Sequence, residues 1–268
     1  MVNVFSFCLY GPENPKYYTG MLENVYLAGV HFPTWKVYVY YAPDVTQDMI
    51  DKLRPCSNVV MRPTCILGEP NMIRRFFAID EPGVELMMVR DADSRIHWKD
   101  RWAIRDFLSK PEFVAHTVRD HKDHTAKLMG GIWGLRKSAG INVEEEYTNY
   151  KEDKSLGHRL AHDQNFLGDV IYPKVLPKLL IHYSFHKRTG ETNAVEFPFE
   201  WSGDVFCGKT ENIFYDTPQP LERRSLVLPD ARIRVRDREV PTAPSNRSEV
   251  HIVPPQLPVQ GLTFLRRK

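Results

Sequence analysis

Residues Val84 to Val89 read VELMMV, five apolar residues broken only by Glu85, and the chain then passes at once into Arg90-Asp91-Ala92-Asp93-Ser94-Arg95. A strand with one face in water alternates apolar and polar residues. This one has no polar face, so it belongs inside a sheet covered on both sides, the usual setting of parallel strands. The segments before it agree. Val2 to Tyr10 reads as a buried strand ending at Gly11-Pro12, and Lys16 to Ala28 carries Tyr18, Met21, Leu22, Val25 and Tyr26 at helical spacing. Trp35 to Tyr41 and Asn58 to Arg62 read as strands, Thr46 to Leu53 and Asn71 to Ile79 as helices. The alternation predicts an α/β fold: a Rossmann-like, mostly parallel sheet with helices on both faces.

Further along, Trp98 to Leu108 is expected to be a helix, Phe113 to Val118 and Ile132 to Leu135 strands, Asp163 to Ile171 a helix and Leu179 to Tyr183 a strand, with a polar stretch up to Ser155. Beyond Tyr215 the pattern weakens. The sequence suggests a domain over residues 1–215 and an irregular, Pro- and Arg-rich extension over 216–268 that wraps the domain or is partly disordered. That extension holds eight prolines and the run ARIRVRDREV, which puts Arg232, Arg234, Arg236 and Arg238 on one face of a short edge strand.

Charge and composition remove several classes of function. The whole chain carries a formal net charge of +2, and residues 216–268 alone carry +4, so there is no overall electrostatic footprint for nucleic acid. Four cysteines lack CxxC spacing, which argues against a zinc knuckle or a disulfide framework and for free thiols in a reducing compartment. The start, MVNVFSFCLYG, lacks the basic flank and cleavage site of a signal peptide, and no apolar run approaches the roughly 18 to 20 residues of a membrane span. The expectation is a protein of the cytoplasm.

The segment most suggestive of chemistry is RDADSR. Open α/β sheets bind ligands at the carboxyl ends of their strands, and Asp91 and Asp93, two apart, point to the same side there. Two hard carboxylates flanked by Arg90 and Arg95 suit a divalent cation and a phosphate-bearing ligand, whereas the plainer alternative is a solvated acidic turn that caps the next helix. A second cluster, Asp120-His121-Lys122-Asp123-His124, follows another strand and precedes Gly130-Gly131, where a backbone is approached closely. His121 and His124 are open between metal ligands, substrate contacts and plain surface or core residues. Asp163 is either an N-cap or a pocket carboxylate that takes a proton from an attacking hydroxyl. His182 and His186 flank a strand end and could complete a cation's coordination, or simply pack. Of Arg74 and Arg75, one is expected to fork onto a phosphate and the other to be solvated; Arg74 is taken as the phosphate contact.

Taken together, Arg74-Arg75-Phe76, the RDADSR run, Arg119-Asp120-His121 with His124, Gly130-Gly131-Ile132-Trp133-Gly134 and Asp163-Gln164-Asn165-Phe166-Leu167 resemble a group of DxD-containing, GT-A-type glycosyltransferase-like proteins found in bacteria and large DNA viruses. The resemblance runs from about Val2 to Gly208. It departs at Lys122-Asp123, where that group commonly has proline and an aromatic, and at Lys99, where arginine is more usual. It implies a GT-A fold, a nucleotide-sugar donor, UDP-linked by preference, and Mn2+ or Mg2+ held through Asp93 with Asp91 reaching the ribose or the cation's waters. His182 and His186 are carried as further metal candidates. Tyr10 and Gly11 would lie beside the nucleobase, with Arg74, Arg90 and Arg95 completing the donor side. Gly130, Gly131, Trp133, His124 and Gln164 would line the sugar and acceptor side. Asp163, with Asp120 and His121, makes up the expected catalytic set.

Three readings follow. The first is a hexosyl- or pentosyltransferase acting on a glycan or glycoprotein hydroxyl, with virion glycans the natural acceptor and the host cytoplasm the location if the source is a large virus. The second is a two-metal phosphoesterase or nuclease built on Asp91, Asp93, His121 and His124. The third is a catalytically silent GT-A fold used as a binding module.

Overall fold

The computed structural model describes residues 1–151, 162–198 and 206–210. The 216–268 extension lies outside the described residues. Eight strands form one sheet in the order β3-β2-β1-β4-β6-β5-β7-β8. They are β1 Val2–Leu9, β2 Lys36–Tyr41, β3 Val59–Pro63, β4 Val84–Arg90, β5 Ala115–Arg119, β6 Ile132–Arg136, β7 Leu179–Tyr183 and β8 Ala194–Glu196. All neighbours are parallel except β6, which runs antiparallel to both β4 and β5. The expected α/β class, mostly parallel and covered on both faces, is the observed one.

Both faces are buried because β1 alternates between two cores. Val4 and Cys8 point into one, and Phe5, Phe7 and Leu9 into the other. The second core is closed by α1 (Pro15–His31), α2 (Gln47–Leu53) and α3 (Trp98–Leu108) through Met21, Val25, Met49, Leu53, Ile104 and Phe107. The first is closed by a 3-10 segment (Glu69–Asp80), α4 (Val143–Asn149), and the run α5 (His162–Phe166), a π turn (Leu167–Ile171) and α6 (Tyr172–Val175). β4 is buried along almost its whole length, as VELMMV requires.

Local signals explain the ends. Asn14 accepts a hydrogen bond from Lys16 N at 3.0 Å and Pro15 opens α1, while Thr46 caps α2. His97 and Asp100 form a reciprocal cap on α3. Three elements depart from expectation. The Asn71–Ile79 segment is 3-10 rather than α. The polar stretch before Ser155 contains α4, whose first-turn amides at Val143 and Glu144 donate to Asp80 at 3.1 and 2.8 Å. The Asp163 helix loosens into a π turn just before Pro173, which has no N–H to return to the preceding turn.

Candidate active site at the end of β4

The loop leaving β4 is held rigidly from α1. Asn24, fully buried, donates to the carbonyls of Ala92 and Ser94 and accepts from Ile96 N at 3.0 Å. Gly20, one turn earlier, leaves room for the loop, since a Cβ there would stand 2.2 Å from Ala92 O and 2.5 Å from Arg95 Nη1. Arg95 pairs with Glu23 and donates to Asp93 O at 2.5 Å. From the other side Ser94 donates to Gly208 O at 3.0 Å and Arg95 N to Lys209 O at 3.0 Å. A loop with this many tethers is a fixed platform for two carboxylates.

Those carboxylates meet two cations of the chain itself. Asp91 Oδ1 lies 2.9 Å from Arg75 Nη1, and Asp93 Oδ2 lies 2.7 Å from Lys16 Nζ. Arg75, 4% exposed, also reaches Asp163 Oδ2 at 3.3 Å, Gly130 O at 3.5 Å and Cys8 Sγ at 3.4 Å. Burial alone would lower the Arg75 pKa, but Asp91, Cys8 and Asp163 outweigh it and the guanidinium is held charged. Asp91, whose side chain is 40% exposed, is pushed up by the partial desolvation of its carboxyl, with Arg75 opposing and Asp93 and Asp163 adding to the effect. Asp163 sits in the first turn of α5, and its second oxygen accepts from Gln164 N at 2.8 Å. Asp163 thus lies inside the first turn of α5 rather than at its N-cap, with its other oxygen toward Arg75.

The double glycine completes this group. A Cβ on Gly131 would fall 1.9 Å from Asp91 Oδ2, and one on Gly130 would fall 3.1 Å from Asp163 Oδ2 and 3.4 Å from Gln164 Cγ. Tyr10 and Gly11 follow β1, which lies beside β4 in the sheet. Burial raises the Tyr10 phenol to about 12. Gly11 turns with φ +79°, and its carbonyl accepts from Tyr18 Oη at 3.2 Å.

Other expected site residues are placed elsewhere. Arg74 reaches outward to Glu144 at 3.0 Å, so Arg75 is the arginine at the sheet's carboxyl edge. Arg90 is buried and committed to Asp100 Oδ1 at 3.0 and 2.9 Å, holding the start of α3 rather than facing a ligand. Trp133 is fully enclosed, with the Phe76 ring edge-on at 5.3 Å, and lines no acceptor side. His182 is also enclosed, bonded to Asp106 Oδ2 at 3.0 Å and to His116 at 2.9 Å. His186 Nε2 meets Lys122 O at 2.5 Å. Neither histidine is placed with Asp91 and Asp93.

Asp120, His121 and His124 form a second, separate arrangement. Asp120 has no exposed surface, and its Oδ2 meets Lys99 Nζ at 2.9 Å and Cys207 N at 2.9 Å, while His124 stands 3.4 Å from Oδ1. Burial would raise this carboxyl, but His124, Lys99 and the Cys207 amide hold it below its ordinary range. The His121 ring lies 4.3 Å from that of Phe206. Their contacts pin residues 206–210 to the domain. His97, Asp100 and Cys207 come close enough to hold an ion. His97, however, accepts from Lys99 N at 3.1 Å and meets Phe206 O at 2.9 Å, and Asp100 is paired with Arg90, so two of the three are committed to the start of α3.

Lys16, Gly20, Asn24 and the pairing of Arg75 with two carboxylates are new with the structure. A signal existed for the helix: Gly20 and Asn24 interrupt the apolar stripe of Met21, Val25 and Ala28, and Lys16 puts a cation at the positive end of α1.

The chain matches no family model and no curated protein. Among solved structures it is similar to a glycosyltransferase involved in the glycosylation of the major capsid of PBCV-1, at 14% identity and TM-score 0.45, over 68% of this chain and 82% of that one. It is similar to 4-diphosphocytidyl-2C-methyl-D-erythritol synthase from Anaerococcus prevotii, at 9% identity and TM-score 0.47, over 72% and 89%. S. aureus TarS residues 1–349 in complex with UDP-GlcNAc give 14% identity and TM-score 0.45, over 71% and 60%. All three TM-scores lie below 0.5.

Proposed function

We propose that the protein is a metal-dependent glycosyltransferase of the GT-A type, moving a sugar from a nucleoside-diphosphate donor, a UDP-sugar first among candidates, to a hydroxyl on a glycan or glycoprotein. The observation that carries this reading is the tethered Asp91-Ala92-Asp93 platform at the carboxyl end of β4, with Arg75 joining Asp91 to Asp163. Hard oxygen donors at that edge suit Mn2+ or Mg2+, and the chain already places a cation, the Lys16 ammonium, against Asp93. Asp91 and Asp93 would hold the metal, whose charge would neutralise the departing diphosphate.

The chain's own residues supply the rest. Arg75 fixes the spacing of Asp91 from Asp163 with a fork whose geometry a lysine cannot copy. Gly130 and Gly131 keep the wall between these carboxylates free of side chains. Tyr10 and Gly11 are assigned to the nucleobase side, and Gln164 to the sugar side. If transfer inverts the anomeric carbon, Asp163 takes the acceptor's proton as the new C–O bond forms and the bond to diphosphate breaks. The two-metal phosphoesterase reading needs His121 and His124 beside Asp91 and Asp93. Their contacts with Asp120 and Phe206 argue against it.

The test is calorimetric titration of UDP, GDP and their sugars with and without Mn2+, on wild type and Asp93→Ala, followed by assay of nucleoside diphosphate release. Metal-dependent binding lost in Asp93→Ala supports the proposal. Absence of nucleotide binding under every condition rejects it, and formation of UTP or GTP together with sugar 1-phosphate when pyrophosphate is added to the nucleotide sugar would make the enzyme a nucleotidyltransferase.

A further inference from the structure

Lys16 is half-exposed at the first turn of α1, yet its Nζ lies 2.7 Å from Asp93 Oδ2, which is only 13% exposed. The position is an unfavourable one for a cation. The N-terminus of a 17-residue helix carries partial positive charge, and α1 has no acidic residue in its first turn to offset Lys16. The backbone does not need the ammonium there, because Asn14 caps Lys16 N through its own side chain. What holds Lys16 in place is the carboxylate, which is also the largest cause of its raised pKa. Asp91 is matched separately by Arg75, and that guanidinium is buried and bonded on several sides. The two counter-cations thus differ in kind. Arg75 is fixed, whereas Lys16 is a point charge on a flexible, solvated stem.

From this asymmetry we infer that Lys16 is an exchangeable counter-ion of Asp93. It occupies the carboxylate while no divalent cation is bound, gives it up when one arrives, and then turns its ammonium onto the diphosphate of the donor. This rests on the transferase reading of the site. Like charges a few ångströms apart cannot share Asp93 without strong repulsion. The displaced ammonium stays within one stem's swing of the anion that the cation binds. Lys16 is therefore a positioning residue with opposite effects in two states: it weakens cation binding when the site holds no nucleotide, and strengthens nucleotide binding once the cation is present. The pairing also keeps Asp93 from standing uncompensated beside Asp91, which Arg75 already matches.

The experiment is Mn2+ binding to the full chain, read by the EPR signal of free Mn2+, for wild type, Lys16→Met, Lys16→Arg and Asp93→Ala, repeated calorimetrically for UDP and GDP at saturating Mn2+. Without nucleotide, Lys16→Met is expected to bind Mn2+ about three- to tenfold more tightly than wild type, the scale of a solvated ion pair removed from competition. With Mn2+ saturating, the same variant is expected to bind the nucleoside diphosphate about three- to tenfold more weakly, and Lys16→Arg to stay near wild type in both measurements. That reversal of sign is not produced by a merely structural lysine. Equal Mn2+ affinity in wild type and Lys16→Met, with Asp93→Ala still abolishing binding, overturns the exchange and leaves the transferase reading standing. Absence of Mn2+ binding to wild type and Lys16→Met alike removes both.

Discussion

Gly131 on the approach to β6 and Asp91 at the end of β4 are packed so closely that a Cβ on the glycine would stand 1.9 Å from the aspartate's Oδ2 and 2.5 Å from its Cγ. Carbon atoms do not approach oxygen that closely, so alanine at 131 must expel the Asp91 carboxylate from its place beside Arg75. Gly130 differs in degree: its nearest neighbours, at 3.1 and 3.4 Å, can yield by tenths of an ångström. Gly131→Ala is therefore expected to cut Mn2+-dependent nucleotide affinity by tenfold or more, with a smaller loss of stability than Arg75→Met because Asp163 still pairs with Arg75, and Gly130→Ala to cut it only a few-fold. Calorimetry on the two variants checks this, and equal losses would refute the steric account.

Arg74 and Arg75 are neighbours in sequence with opposite surroundings. Arg75 is buried between Asp91 and Asp163, whereas Arg74 pairs with an exposed Glu144. Removing one partner of a buried ion pair strands the other, at about 3 kcal/mol, and a surface pair contributes about 0.5 kcal/mol. Urea unfolding of Arg75→Met and Arg74→Met should show that contrast in midpoint. Comparable midpoints would place Arg75 in solvent and undo the site's geometry.

The sequence showed residue type and period, and these were enough for most of the sheet and for the carboxylates at its edge. They were not enough for direction. Successive residues on a 3-10 segment point about 120° apart, so no pattern in NMIRRFF separates Arg74 from Arg75. Trp133 and His182 sit on strands covered on both faces, where neither neighbour betrays which way a side chain points. α4 escaped notice because only Val143 is buried and the helix is fixed by polar caps at Asn142 and Asp80. Only the resemblance puts Asp120 in the catalytic set, and no pattern in the sequence registers the Lys99 ammonium that reaches it from α3.

That pair yields its own prediction. Lys99 and Asp120 are both enclosed, 2.9 Å apart, so Lys99→Met leaves a buried carboxylate without its cation and should cost about 3 to 5 kcal/mol of stability. Mn2+ affinity of the folded fraction should be unchanged, because Asp91, Asp93 and Lys16 are untouched. Asp120→Asn should likewise act on unfolding rather than on turnover. A variant that unfolds normally but loses turnover would instead return Asp120 to the catalytic set.

Three histidines make stability depend on mild acid. His116 Nε2 meets His182 Nδ1 at 2.9 Å, His182 Nε2 meets Asp106 Oδ2 at 3.0 Å, and His116 Nδ1 is buried with no partner. The chain is consistent with two neutral rings, each donating from Nε2. Burial is the main cause that lowers both pKa values, His116 well below 6.5, and it brings His31 down to about 4. A lowered folded pKa means that above pH 6.5 both folded and unfolded states are neutral and stability is complete. Below that pH the unfolded chain takes up protons that the folded one refuses, and stability falls by about 1.4 kcal/mol per pH unit for each histidine until its folded pKa is reached. The unfolding free energy from urea titration should therefore drop between pH 7.5 and 5.5, by about 1 to 4 kcal/mol in all. His116→Phe, placed against the stacked Phe107 ring, should flatten part of that slope. Stability that stays level down to pH 5 would mean that these rings accept protons inside the fold.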